Sequence, residues 1–189
     1  MTTTVEPAEF TYVDFDAGRI ATLVDELAAS MGLEGDIRVE VDQTRALGHT
    51  ELVSVDPLVL ATESGALEDP KRIRQFSEEA ATDVLGRHLL RARDRRTPGF
   101  GEPPADADLD VPHRVAWEIH TIGRLSRMGY QVNRQRWLYA FRTRHGFTDA
   151  ADEAFEELWH TDSMRWDDIV QRSDRTAAQN PGKLERKPA

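Results

Sequence analysis

A chain of 189 residues with 39% hydrophobic and 31% charged residues is long enough for a real core and has the composition of a soluble globular domain. Its formal net charge of −10 argues against general affinity for nucleic acid or anionic membrane, and the absence of cysteine excludes disulfides, thiolate metal sites and cysteine catalysis. The opening MTTTVEPAEF lacks the basic and apolar regions of a secretory signal, no apolar run approaches the roughly 20 residues of a bilayer span, and arginine outnumbers lysine 21 to 3, so a cytoplasmic, bacterial protein is expected.

In chain order, residues 1–8 read as a polar, disordered tail. Asp16 caps a helix to about Met31, with Ile20, Leu23, Val24, Leu27 and Met31 on one stripe and Gly32 as its stop. DIRVEVDQ alternates Ile37, Val39 and Val41 as a half-buried strand, and ELVSV and LVLATES, broken by Pro57, predict two more short strands. Asp69-Pro70 then opens a helix as N-cap and first helical residue, running to about Arg95 with Ile73, Phe76, Ala80, Val84, Leu85 and Leu89 on its apolar side. Beyond the loop at 97–112, helices are expected at about 113–128, 133–145 and 149–171, and residues 172–189 read as a second tail. Strands grouped before helices make the class α+β: an N-terminal helix and a small two- or three-stranded sheet, covered by a predominantly helical C-terminal half. The expected organisation is a single domain over 9–171, with a helix–sheet part at 9–69 and a helical part at 70–171.

No motif carries a reaction. DADLD places Asp106, Asp108 and Asp110 at the first, third and fifth positions of a calcium loop, but Val111 stands at the required glycine and Trp117 at the bidentate glutamate. The GFG at 99–101 follows a helix and runs into prolines, which offer no N–H to a phosphate. No P-loop, GxSxG or HExxH occurs. His88, near the middle of an apolar helical arc under a sheet, resembles the minimal zincin layout. Leu89 and Ala92 replace its general base and second ligand, so a buried, hydrogen-bonded histidine is the simpler expectation and no metal or cofactor is assigned. His113, Trp117, His120 and Arg124 share one helix face, but seven residues separate the histidines, roughly 10 Å along the axis and an awkward spacing for one ion. A polar site shared by His88, His113, His120 and Arg124 is the functional alternative to simple packing.

The strongest anomaly is GYQVNRQRWLYAFRTRHGF at 129–147. Over Thr121–Phe147 the chain carries six arginines and no Asp or Glu. Two helices joined by RMGYQVN have helix–turn–helix form, and LSRMGYQVNRQRW resembles, over about 25 residues, the helix–turn–helix of insertion-element transposases, whose acidic catalytic core has no counterpart here. On the second helix Gln135, Arg136, Tyr139, Arg142 and Thr143 form an outer face suited to bases and phosphates, while Arg134 leans to the apolar side as a structural or paired residue. Immediately downstream, Asp149–Asp168 holds eight acids against one arginine. Pairing between these two segments is the leading expectation, ahead of DNA. The stripe of Phe155, Leu158, Trp159 and Trp166, continued by Ile169, serves either a core or a protein partner, including a second copy. The expected function is a non-enzymatic interaction or regulatory module. The alternatives are a helix–turn–helix DNA binder using residues 133–145 and a degenerate zincin-like metallohydrolase centred on His88.

Overall fold

The structure is a computed structural model and describes residues 2–178. The fold is α+β, with a mixed four-stranded sheet and a helix followed by a mainly helical C-terminal half. It divides into two compact units: Met1–Thr97 with Ala105–Ala107, and Pro98–Pro104 with the residues from Asp108 onward.

The first unit opens with β1 (Thr3–Glu6), α1 (Ala17–Ser30) and β2 (Ile37–Asp42), then the hairpin of β3 (Thr50–Val55) and β4 (Leu58–Glu63). Across the sheet the order is β1-β2-β4-β3, with β1, β2 and β4 parallel and β3 antiparallel to β4. The alternation expected over 37–42 is present: Ile37, Val39 and Val41 are buried, with Leu58 and Leu60 of β4 beside the first two and Leu52 of β3 opposite Leu60. Asp16 accepts the Arg19 amide at 2.8 Å to start α1, whose stripe of Ile20, Leu23, Val24 and Leu27 is buried. Each such aliphatic side chain contributes about 1.5–3 kcal/mol on burial.

Three expectations need correction. Residues 3–6 are not a tail but β1; Thr3 and Val5 point inward, and the Thr3 hydroxyl donates to Asp25 at 2.6 Å. Only four residues alternate there, too few to stand out from a polar terminus. Asp69-Pro70 does not open a helix. It forms the turn between β5 (Glu68–Asp69) and β6 (Arg72–Phe76), where the Asp69 carboxylate accepts the Lys71 amide at 2.9 Å and Arg72 Nε at 2.8 Å. An aspartate that takes up a local amide serves a turn as well as a helix start. Ile73, assigned to an apolar helix face, is therefore 81% exposed on a strand. Helix α2 (Glu78–Arg96) begins eight residues later, capped by Ser77, with Glu78 and Glu79 in its first turn and Arg93, Arg95 and Arg96 in its last, as the helix dipole favours.

In the second unit α3 (Val111–Arg127), α4 (Arg134–His145), α5 (Asp149–His160) and α6 (Trp166–Ala178) pack around Trp117, Phe141, Phe155, Trp159 and Trp166. The third correction is here: 149–171 is not one helix. Arg127 reaches the carbonyls of Trp159 and Thr161 and the Asp162 carboxylate, which caps α5 at its C-terminus. The chain then re-enters as α6, which extends to Ala178, so residues 172–178 are helical; the rest of the expected tail lies outside the described residues. Helices α3 and α5 cross so closely that a Cβ at Gly123 would lie 2.3 Å from the Trp159 carbonyl oxygen. All of Phe155, Leu158, Trp159, Trp166 and Ile169 are buried, so the stripe proposed for a partner is already covered.

Candidate functional site

The arginine-rich helix α4 has two different edges. Asn133 accepts the Arg136 amide at 3.0 Å and starts it; Gly146, at φ 108°, ends it in a backbone conformation that glycine adopts freely. Its buried side carries Trp137, Phe141 and His145, the last stacked on Phe141 and 2.8 Å from the Ser173 hydroxyl. The edge towards α5 is an ionic seam. Arg142 donates to both Asp152 oxygens, at 2.7 and 2.5 Å, and Arg134 pairs with Glu156 while lying over the rings of Phe155 and Trp159. Hydrogen bonding to Arg142 holds the Asp152 carboxyl below its ordinary range, and the same bonds raise the Arg142 pKa.

The opposite edge faces solvent. Gln135, Arg136, Tyr139 and Thr143 are exposed together, and Tyr139 meets Phe147 edge to face with ring centroids 5.8 Å apart. Thr143 spends its hydroxyl on the Ala140 carbonyl at 2.7 Å. Four of the five residues expected on the outer face are thus brought together, while Arg142 turns to α5. Phe147 was missed because it lies past the helix-ending glycine, where helical periodicity says nothing. Arg136 and Arg144 pair with no carboxylate among the described residues.

The histidines are placed differently. His88, in the first unit, is buried, with Nδ1 2.7 Å from the Val84 carbonyl and a further hydrogen bond to the Thr50 backbone. Burial first, then the charges of Arg87 and Arg91, hold its pKa well below the usual histidine value, so the ring is neutral. Its neighbours on α2 act on the same strand. Asp106 accepts Arg91 at 2.7 Å, Arg95 at 3.0 Å and the Leu52 amide at 3.1 Å, while Arg96 donates to the Val55 carbonyl at 2.5 Å. Together these groups occupy the free backbone edge of β3, the position at which a sheet otherwise invites another strand. His113, in the second unit, lies between Asp110 (3.0 Å) and Asp174 (2.8 Å). His120 on the same helix is fully buried, with Nδ1 3.3 Å from the Leu158 carbonyl, and Arg124 is half-buried. The face shared by His113 and His120 on a helical projection is therefore split between surface and core. Among the described residues no group of three or more His, Asp or Glu side chains is placed to hold a metal ion.

A concavity of about 240 Å³ on the open face of the sheet is lined by Glu40, Asp42, Arg45, His49, Glu51 and Glu63, among others. Its charges are answered internally: Glu63 accepts the His49 amide at 3.0 Å and lies 3.7 Å from Arg45, and Asp42 accepts the amide and hydroxyl of Thr44.

Comparisons with protein-family models, with curated proteins and with solved structures return no match for this chain. No helix of the described residues is long and apolar enough to cross a membrane.

Proposed function

We propose that the protein is a cytosolic, non-enzymatic interaction module that presents the outer face of α4 to an acidic amphipathic helix of a protein partner. The observation that supports this reading is the Tyr139–Phe147 pair, 62% and 65% exposed in a unit that buries Phe100, Trp117, Trp137, Phe141, Phe155, Trp159 and Trp166 and half-buries Tyr130. Aromatic rings and arginine supply most of the binding energy in protein interfaces, and a contiguous exposed set of them marks a contact surface. Arg136, Tyr139 and Thr143 recur at the i, i+3, i+7 spacing that one helix offers to another. Charge selects the partner. Arg136 and Arg144 pair with no carboxylate among the described residues, and the other edge of the same helix already holds acidic α5 through Arg134 and Arg142. Duplex DNA fits less well, because two guanidinium groups give few phosphate contacts and the acids of α5 repel the backbone.

Fluorescence anisotropy with synthetic helices tests this. A glutamate–leucine amphipathic helix binds the full chain and its lysine–leucine counterpart does not. The double variant Tyr139→Ser, Phe147→Ser loses at least about tenfold in affinity with an unchanged urea midpoint. Equal binding by variant and parent, or preference for random duplex DNA over the acidic helix, overturns the reading.

A further inference from the structure

The β5–β6 hairpin of the first unit carries a second group of cations, Lys71, Arg72 and Arg74, beyond the acids Glu68 and Asp69 of β5 and independent of α4. Its turn and following strand read Pro70-Lys71-Arg72-Ile73-Arg74, and every one of these residues is exposed. Ile73, at 81% exposure, is an aliphatic side chain flanked in sequence by two arginines in a protein of net charge −10. Only Arg72 is drawn into a close ion pair, with Asp69 at 2.8 Å; the Arg74 guanidinium pairs with no carboxylate among the described residues.

The backbone supplies a separate observation. Arg74 has φ +64°, the left-handed conformation, and is the single described non-glycine residue there. A bulky residue holds that conformation at a cost that glycine avoids. Two hydrogen bonds enforce it: the Arg74 amide donates to Glu68 at 3.0 Å, and its carbonyl accepts the Asp14 amide at 2.7 Å. The bulge between the Asp69–Arg72 and Glu68–Phe76 pairs accommodates this backbone, yet an arginine stands where glycine would meet it at lower cost, and its side chain makes no hydrogen bond or ion pair among the described residues. Strain of this kind concentrates at binding surfaces. The hairpin also lies on the connection leaving the carboxyl end of β4, the end of a parallel sheet where ligands are usually met.

We propose that this hairpin docks an extended acidic protein segment, with Ile73 as the apolar contact and Lys71, Arg72 and Arg74 receiving its carboxylates. Alternating acidic and aliphatic residues fit the strand, because successive side chains of an extended peptide point to opposite faces.

The test uses the full chain carrying Tyr139→Ser and Phe147→Ser, so that the α4 face does not contribute. The probe is a fluorescein-labelled decapeptide of alternating glutamate and valine. Binding is expected at low salt and weakens as salt rises. Adding Ile73→Ser or Arg74→Gly lowers affinity at least about fivefold, while Arg74→Gly leaves the urea midpoint equal to or above that of its parent. A lysine–valine decapeptide binding as well, no loss in either hairpin variant, or preferential binding to duplex DNA or to phosphatidylserine vesicles each overturns the proposal. Failure here leaves the α4 reading standing, since that reading is tested on the other unit with a helical probe.

Discussion

Helices α2 and α4 are both rich in arginine, yet their guanidinium groups do opposite things. On α2, Arg91 is 1% exposed and Arg95 14%, and both converge on Asp106, itself 4% exposed, whose second oxygen takes the Leu52 amide. On α4, two arginines meet carboxylates at a hydrated seam and two meet none among the described residues. The count of arginines is therefore a poor guide to a ligand; the dielectric around each and the carboxylate it faces decide its role. Removing the buried partner is the largest break in this comparison. Asp106→Ala deprives Arg91 of a buried counter-ion and the Leu52 amide of its acceptor, at an expected cost of about 3–5 kcal/mol in the urea-unfolding free energy. A loss below about 1 kcal/mol would show that Asp106 is not what fastens α2 to β3.

His88 sharpens the same contrast through pH. Its folded pKa lies well below 6.5 because burial, then Arg87 and Arg91, disfavour the imidazolium. The unfolded ring protonates near 6.5 while the folded ring stays neutral, so the unfolded state binds more protons as pH falls. Stability therefore declines below pH 6.5, by up to about 1.4 kcal/mol per unit, until the folded ring also protonates. His88→Gln costs stability at pH 7.5 but removes that share of the slope just below pH 6.5. Superimposable slopes for variant and parent would mean that His88 is not held neutral by its surroundings.

The α+β class, α1, three of the four sheet strands and the run of C-terminal helices were legible because each repeats an apolar period over enough residues. The misread parts are those where one residue type serves two local structures. Asp69 accepts a nearby amide in a turn as it would at a helix start, and Arg72-Ile73-Arg74-Gln75-Phe76 alternates as a strand although Ile73 and Phe76 also suit a helical face. The break at Thr161–Arg165 is held by Arg127, more than 30 residues upstream, and the apolar stripe of Phe155, Leu158, Trp159, Trp166 and Ile169 runs across it, which hides the polar Thr161-Asp162-Ser163 stop. For the candidate site, four of five outer-face residues followed from projecting α4. The fate of Arg142 depended on the tertiary position of Asp152. The hairpin cations stay hidden because the sequence pattern predicts a helix over them.

The smallest expected effect lies at that Arg142–Asp152 pair. Its geometry is bidentate and its bonds short, but both side chains are substantially hydrated, at 29% and 40% exposure, so water and salt screen the attraction. Because the Asp152 carboxyl titrates below its ordinary 3.8 when folded, its contribution is present above that pH and is lost as pH falls through the lowered value. A double-mutant cycle of Arg142→Ala and Asp152→Ala should give a small favourable coupling at neutral pH and low salt, shrinking in 1 M salt and vanishing in acid. Coupling that survives high salt would place the pair with the buried arginines of α2. Coupling absent at neutral pH would show that the charge match between α4 and α5 sets solubility and register and adds nothing to stability.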